Sequence, residues 1–193
     1  MTHAGPREFS RIHEAELRTK PPRMPIRLAD EHDEFGVLEL CRMMHAEIAY
    51  HPLNISKVAA MIRLAIRPGP ERRGILGVIG DRGDLKAGIF LLIEPIWYSD
   101  DWQLMEFFNY VKPGYRRMGF AHDLISYAKQ CADQTKLDLF IGVFNNVRTE
   151  AKCRLYRRWI PKAGEFFYYA PPTRVPFAKR LDAMTPANNV AAE

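Results

Sequence analysis

The chain has 193 residues, of which 47% are hydrophobic and 26% charged. This length and composition are typical of one compact domain that buries a sizeable core, and they exclude a chain that is disordered throughout. The formal charge of +5 favours anionic partners, but phosphorylated cofactors, nucleic acids and acidic surfaces satisfy it equally well.

The longest apolar run, Ile89 to Ile93, is much shorter than the roughly 20 residues that span a bilayer. The first residues also lack the hydrophobic stretch of a signal peptide, so the sequence predicts a cytoplasmic protein without membrane association. The cysteines are odd in number and fall in stretches typical of helices, which indicates buried reduced thiols at Cys41, Cys131 and Cys153. No paired Cys and His spacing predicts a metal site.

The predicted elements start after a polar extension, residues 1–23, that has no sustained apolar period. A strand follows from Pro25 to Ala29, and Asp30 is placed to cap a helix. Apolar positions of this first helix recur every three or four residues, at Phe35, Leu38, Cys41, Met44 and Ile48. The same spacing predicts a second helix before Pro68, with Val58, Met61, Ile62, Ala65 and Ile66 on one face.

A hairpin is predicted next. Two β-rich runs, Gly74–Ile79 and Leu85–Ile93, flank the turn-forming tetrad Asp81–Asp84, which contains a glycine. A further strand, Trp102–Val111, ends just before Pro113.

The following segment returns to a helical period. A helix over Gly119–Gln134 is expected to pack on the sheet, and the apolar stretch Leu137–Phe144 predicts a strand that is buried on both faces. Asn145 or Asn146 then caps a last helix that runs through Trp159.

One more strand, Glu165–Tyr169, completes an α/β domain over residues 24–170 with helices on both faces of the sheet. Residues 171–193 form a C-terminal tail whose end is expected to be disordered.

The stretch from Tyr110 to Ala121 places a strand end, a turn and a helix start in succession. The first amides of a helix have no intrahelical partners and lie at the positive end of its dipole, so they attract phosphate. Gly119 allows close approach of an anion, and Arg116 and Arg117 add positive charge. The alternative is a turn with a solvated basic edge.

This loop resembles the cofactor loop of the GNAT superfamily of N-acetyltransferases, which reads Arg/Gln-x-x-Gly-x-Gly/Ala after a strand ending in Val-x-Pro. The matching residues are Val111, Pro113, Arg116, Gly119 and Ala121. The family's later turn and helix, with Asn, Ala and Leu-Tyr-x-Arg, are matched by Asn145, Ala151, Leu155, Tyr156 and Arg158.

The resemblance covers the region from Ile26 to Tyr169. Three further segments are similar to members found in phage and prophage genomes: Met44–Glu47, Trp97–Asp100 and Glu106–Val111. One departure is the segment Trp159–Gly164, which stands where the family has Gly-Phe soon after Leu-Tyr-x-Arg.

The resemblance implies a mostly antiparallel sheet with acetyl-coenzyme A (acetyl-CoA) between the two diverging strands Trp102–Val111 and Leu137–Phe144. Its pantetheine arm would pair with the strand backbone and its pyrophosphate would lie on the helix start. The implied cofactor-binding residues are Tyr110, Val111, Arg116, Arg117, Met118, Gly119, Phe120, Ala121 and Asn145.

Two side chains are the catalytic candidates. Glu106 lies in an apolar strand, where burial raises the pKa of a carboxylate toward the range of a general base; alternatively it faces solvent or pairs with an arginine. Tyr156 would protonate the leaving thiolate; alternatively it is a core tyrosine.

The acceptor amine belongs to an unidentified small molecule or protein, and a homodimer is plausible. Glu47 and Tyr50 would line the acceptor site, or form a solvated helix end. Trp97 would line the same site or cover a sheet edge. A rival interpretation is a non-catalytic structural or regulatory module of a larger assembly, such as that of a phage. Modification of DNA bases is a further alternative, through a basic face of Arg148, Lys152, Arg154, Arg157, Arg158 and Lys162.

Overall fold

A computed structural model describes residues 24–48, 51–69, 72–143 and 149–160. One sheet has the strands β1 Ile26–Leu28, β2 Gly74–Asp81, β3 Asp84–Pro95, β4 Trp102–Val111 and β5 Asp138–Phe140, in that spatial order. The helices are α1 Glu34–Ile48, α2 Ile55–Ile66, α3 Phe120–Thr135 and α4 Thr149–Trp159. The first four strands pair antiparallel, and β5 pairs parallel with β4.

Helices cover both faces of the sheet. Leu40 of α1 and Ile62 of α2 pack with Phe90 of β3 on one face. Leu124 of α3 packs with Ile89 of the same strand on the other face. Because β3 is covered on both sides, its sequence is apolar without alternation. The mostly antiparallel α/β architecture predicted from the sequence is therefore confirmed.

Local signals fixed the ends of several elements. The Asp30 side chain accepts a hydrogen bond from the His32 amide, and the Asp33 side chain accepts one from the Asp30 amide, which forms a capping box before α1. The Asn54 side chain caps α2 by accepting from the Lys57 amide. Gly83 turns the hairpin between β2 and β3 with φ +82°.

Two details of the sequence prediction were wrong. Phe35 is 72% exposed, because α1 turns Val37, Leu40 and Cys41 toward the sheet instead. The strand predicted over Leu137–Phe144 is only three residues long and is not buried on both faces. Burial alternates along this segment: Leu137, Leu139 and Ile141 pack on the α3 side, whereas Asp138 and Phe140 are exposed.

Several predictions lie outside the described residues. These are the extension 1–23, the strand Glu165–Tyr169, the tail 171–193, and the site residues Tyr50 and Asn145. None of the helices in the described ranges contains a stretch long and apolar enough to span a bilayer.

A β-bulge interrupts β4 at the centre of the sheet. Phe108 pairs with Phe90 and Glu106 pairs with Leu91, so Phe107 is an extra residue on β4. A bulge bends a strand and redirects its side chains, and bulges occur often beside active sites. Here it turns Glu106 toward the face of the sheet that carries α3.

A buried ion pair ties β1 to the start of α1. Asp33 is 1% exposed, and both of its carboxylate oxygens accept hydrogen bonds from Arg27, at 2.6 and 2.8 Å. Burial opposes ionisation of Asp33, but the hydrogen bonds from Arg27 and the Asp30 amide more than offset it and lower its pKa.

We expect Arg27→Met to lower the free energy of unfolding by about 2–3 kcal/mol, because it leaves a buried carboxylate without its cation. The matched control is Arg82→Met, which removes the exposed pair with Asp30 and should cost much less. Urea titrations of both variants measure the difference. Since the pKa of Asp33 is lowered, its stabilising contribution is present above the unfolded-state pKa of about 4 and is lost as the pH falls.

An Arg27→Met variant no less stable than Arg82→Met at pH 7 would contradict the assigned role of this pair.

Candidate active site

The outer edge of β4 is only partly covered by β5. The two strands pair over Gln103–Met105, whereas β4 continues for six more residues, from Glu106 to Val111. Because the Lys112 amide bonds to β3, the carbonyls of the alternate residues Asn109 and Val111 face away from β3. Beyond Met105, this edge has no strand partner in the described part of the chain.

An open cavity lies beside this free edge. It encloses about 790 Å³, part of which is open to solvent. The end of α1, strand β4, the loop after it and α4 form its walls. The sequence-predicted residues among its lining are Glu47, Tyr110, Val111, Arg116, Ala121 and Tyr156.

The loop after β4 presents the start of α3 openly. A 3₁₀ turn, Pro113–Tyr115, leads to Gly119, which precedes α3 with φ +84°. A Cβ atom added at Gly119 would meet no heavy atom within 4 Å. The amides of Phe120 and Ala121 belong to the first helical turn and so have no intrahelical acceptor. The helix start is open, and its binding of a phosphate group stays a prediction.

The side chain of Arg116 points back to α1. Its Nη2 donates to Glu47 Oε1 at 2.5 Å and its Nε to the Val111 carbonyl at 3.0 Å. The Tyr110 hydroxyl donates to the same Glu47 oxygen at 2.7 Å. Burial opposes ionisation of Glu47, but these hydrogen bonds hold its pKa below the ordinary value. Arg116 therefore braces the loop against α1, whereas Arg117 is exposed beside the helix start.

Other predicted loop residues serve the core through their side chains. Phe120 is 1% exposed and stacks on Tyr115, and Met118 packs on the same side of the sheet. Any contact of Met118 and Phe120 with a ligand would thus be through their backbone.

Glu106 and Tyr156 meet at the free edge of β4. The Tyr156 hydroxyl lies 3.4 Å from both carboxylate oxygens of Glu106 and donates to this carboxylate. The amide nitrogen of Asn109 donates to the Tyr156 oxygen at 3.2 Å. Asn109 and Tyr156 are 6% and 7% exposed, so the cluster is largely removed from water.

Burial shifts the acid–base properties of this cluster. It raises the pKa of Glu106 to about 8, although the positive charge of Lys152 and the hydrogen bond from Tyr156 act in the opposite direction. Burial, with the charge of Glu106, also raises the pKa of Tyr156, which keeps the hydroxyl protonated. The site thus holds a carboxylate that titrates near neutral pH beside a neutral proton donor.

Lys152 was misassigned from the sequence. We grouped it with a basic surface face, but it is half-buried and lines the cavity. Arg154, Arg157 and Arg158 of that face are exposed, and Arg148 and Lys162 lie outside the described residues. The four-residue spacing between Lys152 and Tyr156, which puts both on one helical face, was the signal for its true position.

Asn109 was missed altogether. A single amide in the apolar run Phe107–Val111 was the only indication of its role. Trp97, predicted to line the acceptor site or cover a sheet edge, is 92% exposed, packs edge-to-face against Tyr98 and does not line the cavity.

The fold therefore combines a bulged β4 with a free outer edge and an open helix start next to it. The chain has the GNAT-like fold of the acyl-CoA N-acyltransferases. The sequence itself matches no protein-family model and no curated protein.

Solved structures share this fold. A possible acetyltransferase from Clostridium difficile 630 is 18% identical, over 77% of this chain and 98% of its own, with a TM-score of 0.58. A predicted acetyltransferase from Clostridium acetobutylicum, solved with acetyl-CoA, is 10% identical over 77% and 96% of the two chains, with a TM-score of 0.61. An aminoglycoside acetyltransferase from an uncultured soil metagenomic sample, solved in complex with sisomicin, is 16% identical over 77% and 96%, with a TM-score of 0.57.

Proposed function

We propose that this protein is an N-acetyltransferase that moves an acetyl group from acetyl-CoA to the amine of an acceptor. The observation that carries the proposal is the buried cluster of Glu106, Asn109 and Tyr156 at the free edge of β4. Tyr156 and Asn109 line the cavity, and Glu106 lies behind them in contact with the Tyr156 hydroxyl, so a candidate base and a candidate proton donor are held together there. Such a pair is what amine acylation requires.

The chain offers two kinds of backbone contact to the cofactor. The amides at the start of α3 would hold its pyrophosphate, with Arg117 adding charge. The outward-facing amides of Asn109 and Val111 would pair with the pantetheine arm, since their carbonyls accept from Lys152 and Arg116. When bound, acetyl-CoA supplies an acetyl group activated as a thioester.

Glu106 and Tyr156 would work as one unit. Ionised Glu106 removes a proton from the acceptor amine, as a general base. Once protonated, Glu106 is also a hydrogen-bond donor and passes its proton to the Tyr156 oxygen as Tyr156 gives its own hydroxyl proton to the leaving sulfur. Asn109 would keep the hydroxyl oxygen in place.

For the acceptor we propose a small-molecule amine. The support is indirect: two solved neighbours of this fold are aminoglycoside acetyltransferases. Aminoglycosides therefore belong among the first amines to be tested.

The proposal is tested by titration calorimetry with coenzyme A and by thiol release from acetyl-CoA across simple amines, amino acids, peptides and sisomicin. We expect binding, and thiol release that depends on one class of amine. Binding without turnover on any amine would favour the non-catalytic alternative. Absence of binding by the folded protein would refute the proposed function.

We predict that Tyr156→Phe lowers kcat by about a hundredfold, the range for loss of a positioned acid. The affinity for coenzyme A should stay within about twofold, because only a hydroxyl group is removed. The matched control is Tyr127→Phe, a half-buried tyrosine on α3 that packs against Gly77 away from the cavity. Steady-state kinetics on both variants measures the effect, and an unchanged kcat in Tyr156→Phe would remove this residue from the mechanism.

A further inference from the structure

The chain places one of its own amines in the candidate active site. Lys152 lines the cavity on α4, one helical turn before Tyr156. Its Nζ donates to the Asn109 carbonyl, at 3.4 Å, on the free edge of β4. The amine therefore lies at the strand edge where the proposed cofactor arm would end, on the helical face that carries the proposed acid.

The position of Lys152 favours a neutral amine. Burial and the charge of Arg116 lower its pKa, whereas Glu106 and Glu47 raise it less, so the net shift is downward. In the described part of the chain, its only hydrogen bond is to Asn109, and it forms no ion pair with a carboxylate. A lowered pKa leaves a larger share of an amine in the neutral, nucleophilic form than in an exposed lysine.

We propose that Lys152 is an internal acceptor, so that the protein transfers an acetyl group from acetyl-CoA to its own Lys152 side chain. This inference rests on the proposed function. A bond forms between Lys152 Nζ and the acyl carbon, and the thioester C–S bond breaks. Glu106 takes the proton from nitrogen, Tyr156 gives its hydroxyl proton to the sulfur, and protonated Glu106 returns a proton to Tyr156. The products are Nε-acetyl-Lys152 and free coenzyme A.

The modification would regulate the site. An acetylated Lys152 is uncharged, so it no longer opposes the burial that raises the pKa of Glu106. It is also larger and remains in the cavity, because an amide is far less reactive than a thioester. Acetylation of Lys152 would therefore inhibit acetyl transfer to external amines.

The direct test incubates the full chain with isotopically labelled acetyl-CoA and follows peptides by mass spectrometry. Trypsin does not cleave after acetylated lysine, so the modified product is Thr149–Arg154. Lys57 and Lys136 are exposed and report the background of uncatalysed acetylation. We expect the initial rate at Lys152 to exceed both by at least tenfold, and Glu106→Gln to remove the excess.

Cys153 requires its own control, because a neighbouring thiol could be acetylated first and pass the group on. Lys152 should be modified equally fast in Cys153→Ser. Modification that requires Cys153 would overturn direct transfer to the lysine.

A second test needs no cofactor. Trace labelling with acetic anhydride as a function of pH reports the pKa of each lysine separately. Lys152 should label with a lower apparent pKa than Lys57 and Lys136, and Glu106→Gln should lower it further by removing a negative charge. An ordinary pKa at Lys152 would count against an internal acceptor.

The outcomes separate the two proposals when thiol release with external amines is measured on the same protein. Labelled Lys152 together with turnover of external amines supports both the internal acceptor and the proposed function. Turnover without excess label at Lys152 overturns the internal acceptor and leaves the proposed function standing. If neither reaction occurs although coenzyme A binds, both proposals are wrong.

Discussion

Replacing Gly119 by leucine is expected to weaken coenzyme A binding at least a hundredfold. The Cβ position of Gly119 opens onto free space at the start of α3, where the pyrophosphate is proposed to lie. A leucine side chain there would cover the first-turn amides and exclude the phosphate groups. Titration calorimetry measures the loss.

Gly83 provides a closely matched control. It has φ +82°, against +84° for Gly119, and its Cβ position also meets nothing within 4 Å. Each leucine substitution should therefore lower the free energy of unfolding by a similar amount, about 1–2 kcal/mol, through backbone strain. Only Gly119→Leu should lose affinity for coenzyme A. If both variants fold and bind alike, the start of α3 is not the phosphate site.

The sequence was sufficient for most of the fold. Amphipathic spacing and the cap at Asp30 are local signals, and they predicted the early helices well. The β-rich runs correctly predicted the hairpin of β2 and β3. The prediction that an apolar run without alternation is covered on both faces was wrong at Leu137–Phe144, because packing against α3 buries only alternate residues there.

The site was predicted in part. A strand–turn–helix sequence predicted an open helix start, since that geometry is set by the backbone around Gly119. The contact between Glu106 and Tyr156 spans 50 residues, and only the family resemblance brought them together. Side-chain directions were not accessible: nothing in the sequence showed that Arg116 would turn to Glu47.

Glu106→Gln is predicted to lower kcat by about 10²–10³, within the range for loss of a general base. Glutamine keeps the size and the hydrogen bond from Tyr156 but does not accept a proton. The control is Glu39→Gln on α1, an exposed carboxylate that pairs with Lys112 outside the cavity. Stopped assays of thiol release at saturating acetyl-CoA measure the effect, and a Glu106→Gln variant as active as Glu39→Gln would exclude Glu106 as the base.

The raised pKa of Glu106 predicts how the reaction rate and the stability of the protein depend on pH. Because burial raises the pKa of Glu106 to about 8, kcat/KM should rise with pH up to about that value, and Glu106→Gln should lose this dependence.

The same pKa shift affects stability. In the unfolded chain the pKa of Glu106 is near 4.3, so the folded state binds the proton more tightly at pH values between the unfolded and folded pKa. Stability from this group is complete below the unfolded pKa and is lost as the pH rises through the folded one. Glu106→Gln should therefore melt at a higher temperature than the parent at pH 8 and show no gain at pH 4. Together the two outcomes would assign Glu106 to the proposed reaction rather than to folding, because the buried carboxylate would cost stability at pH 8 while its removal lowers kcat.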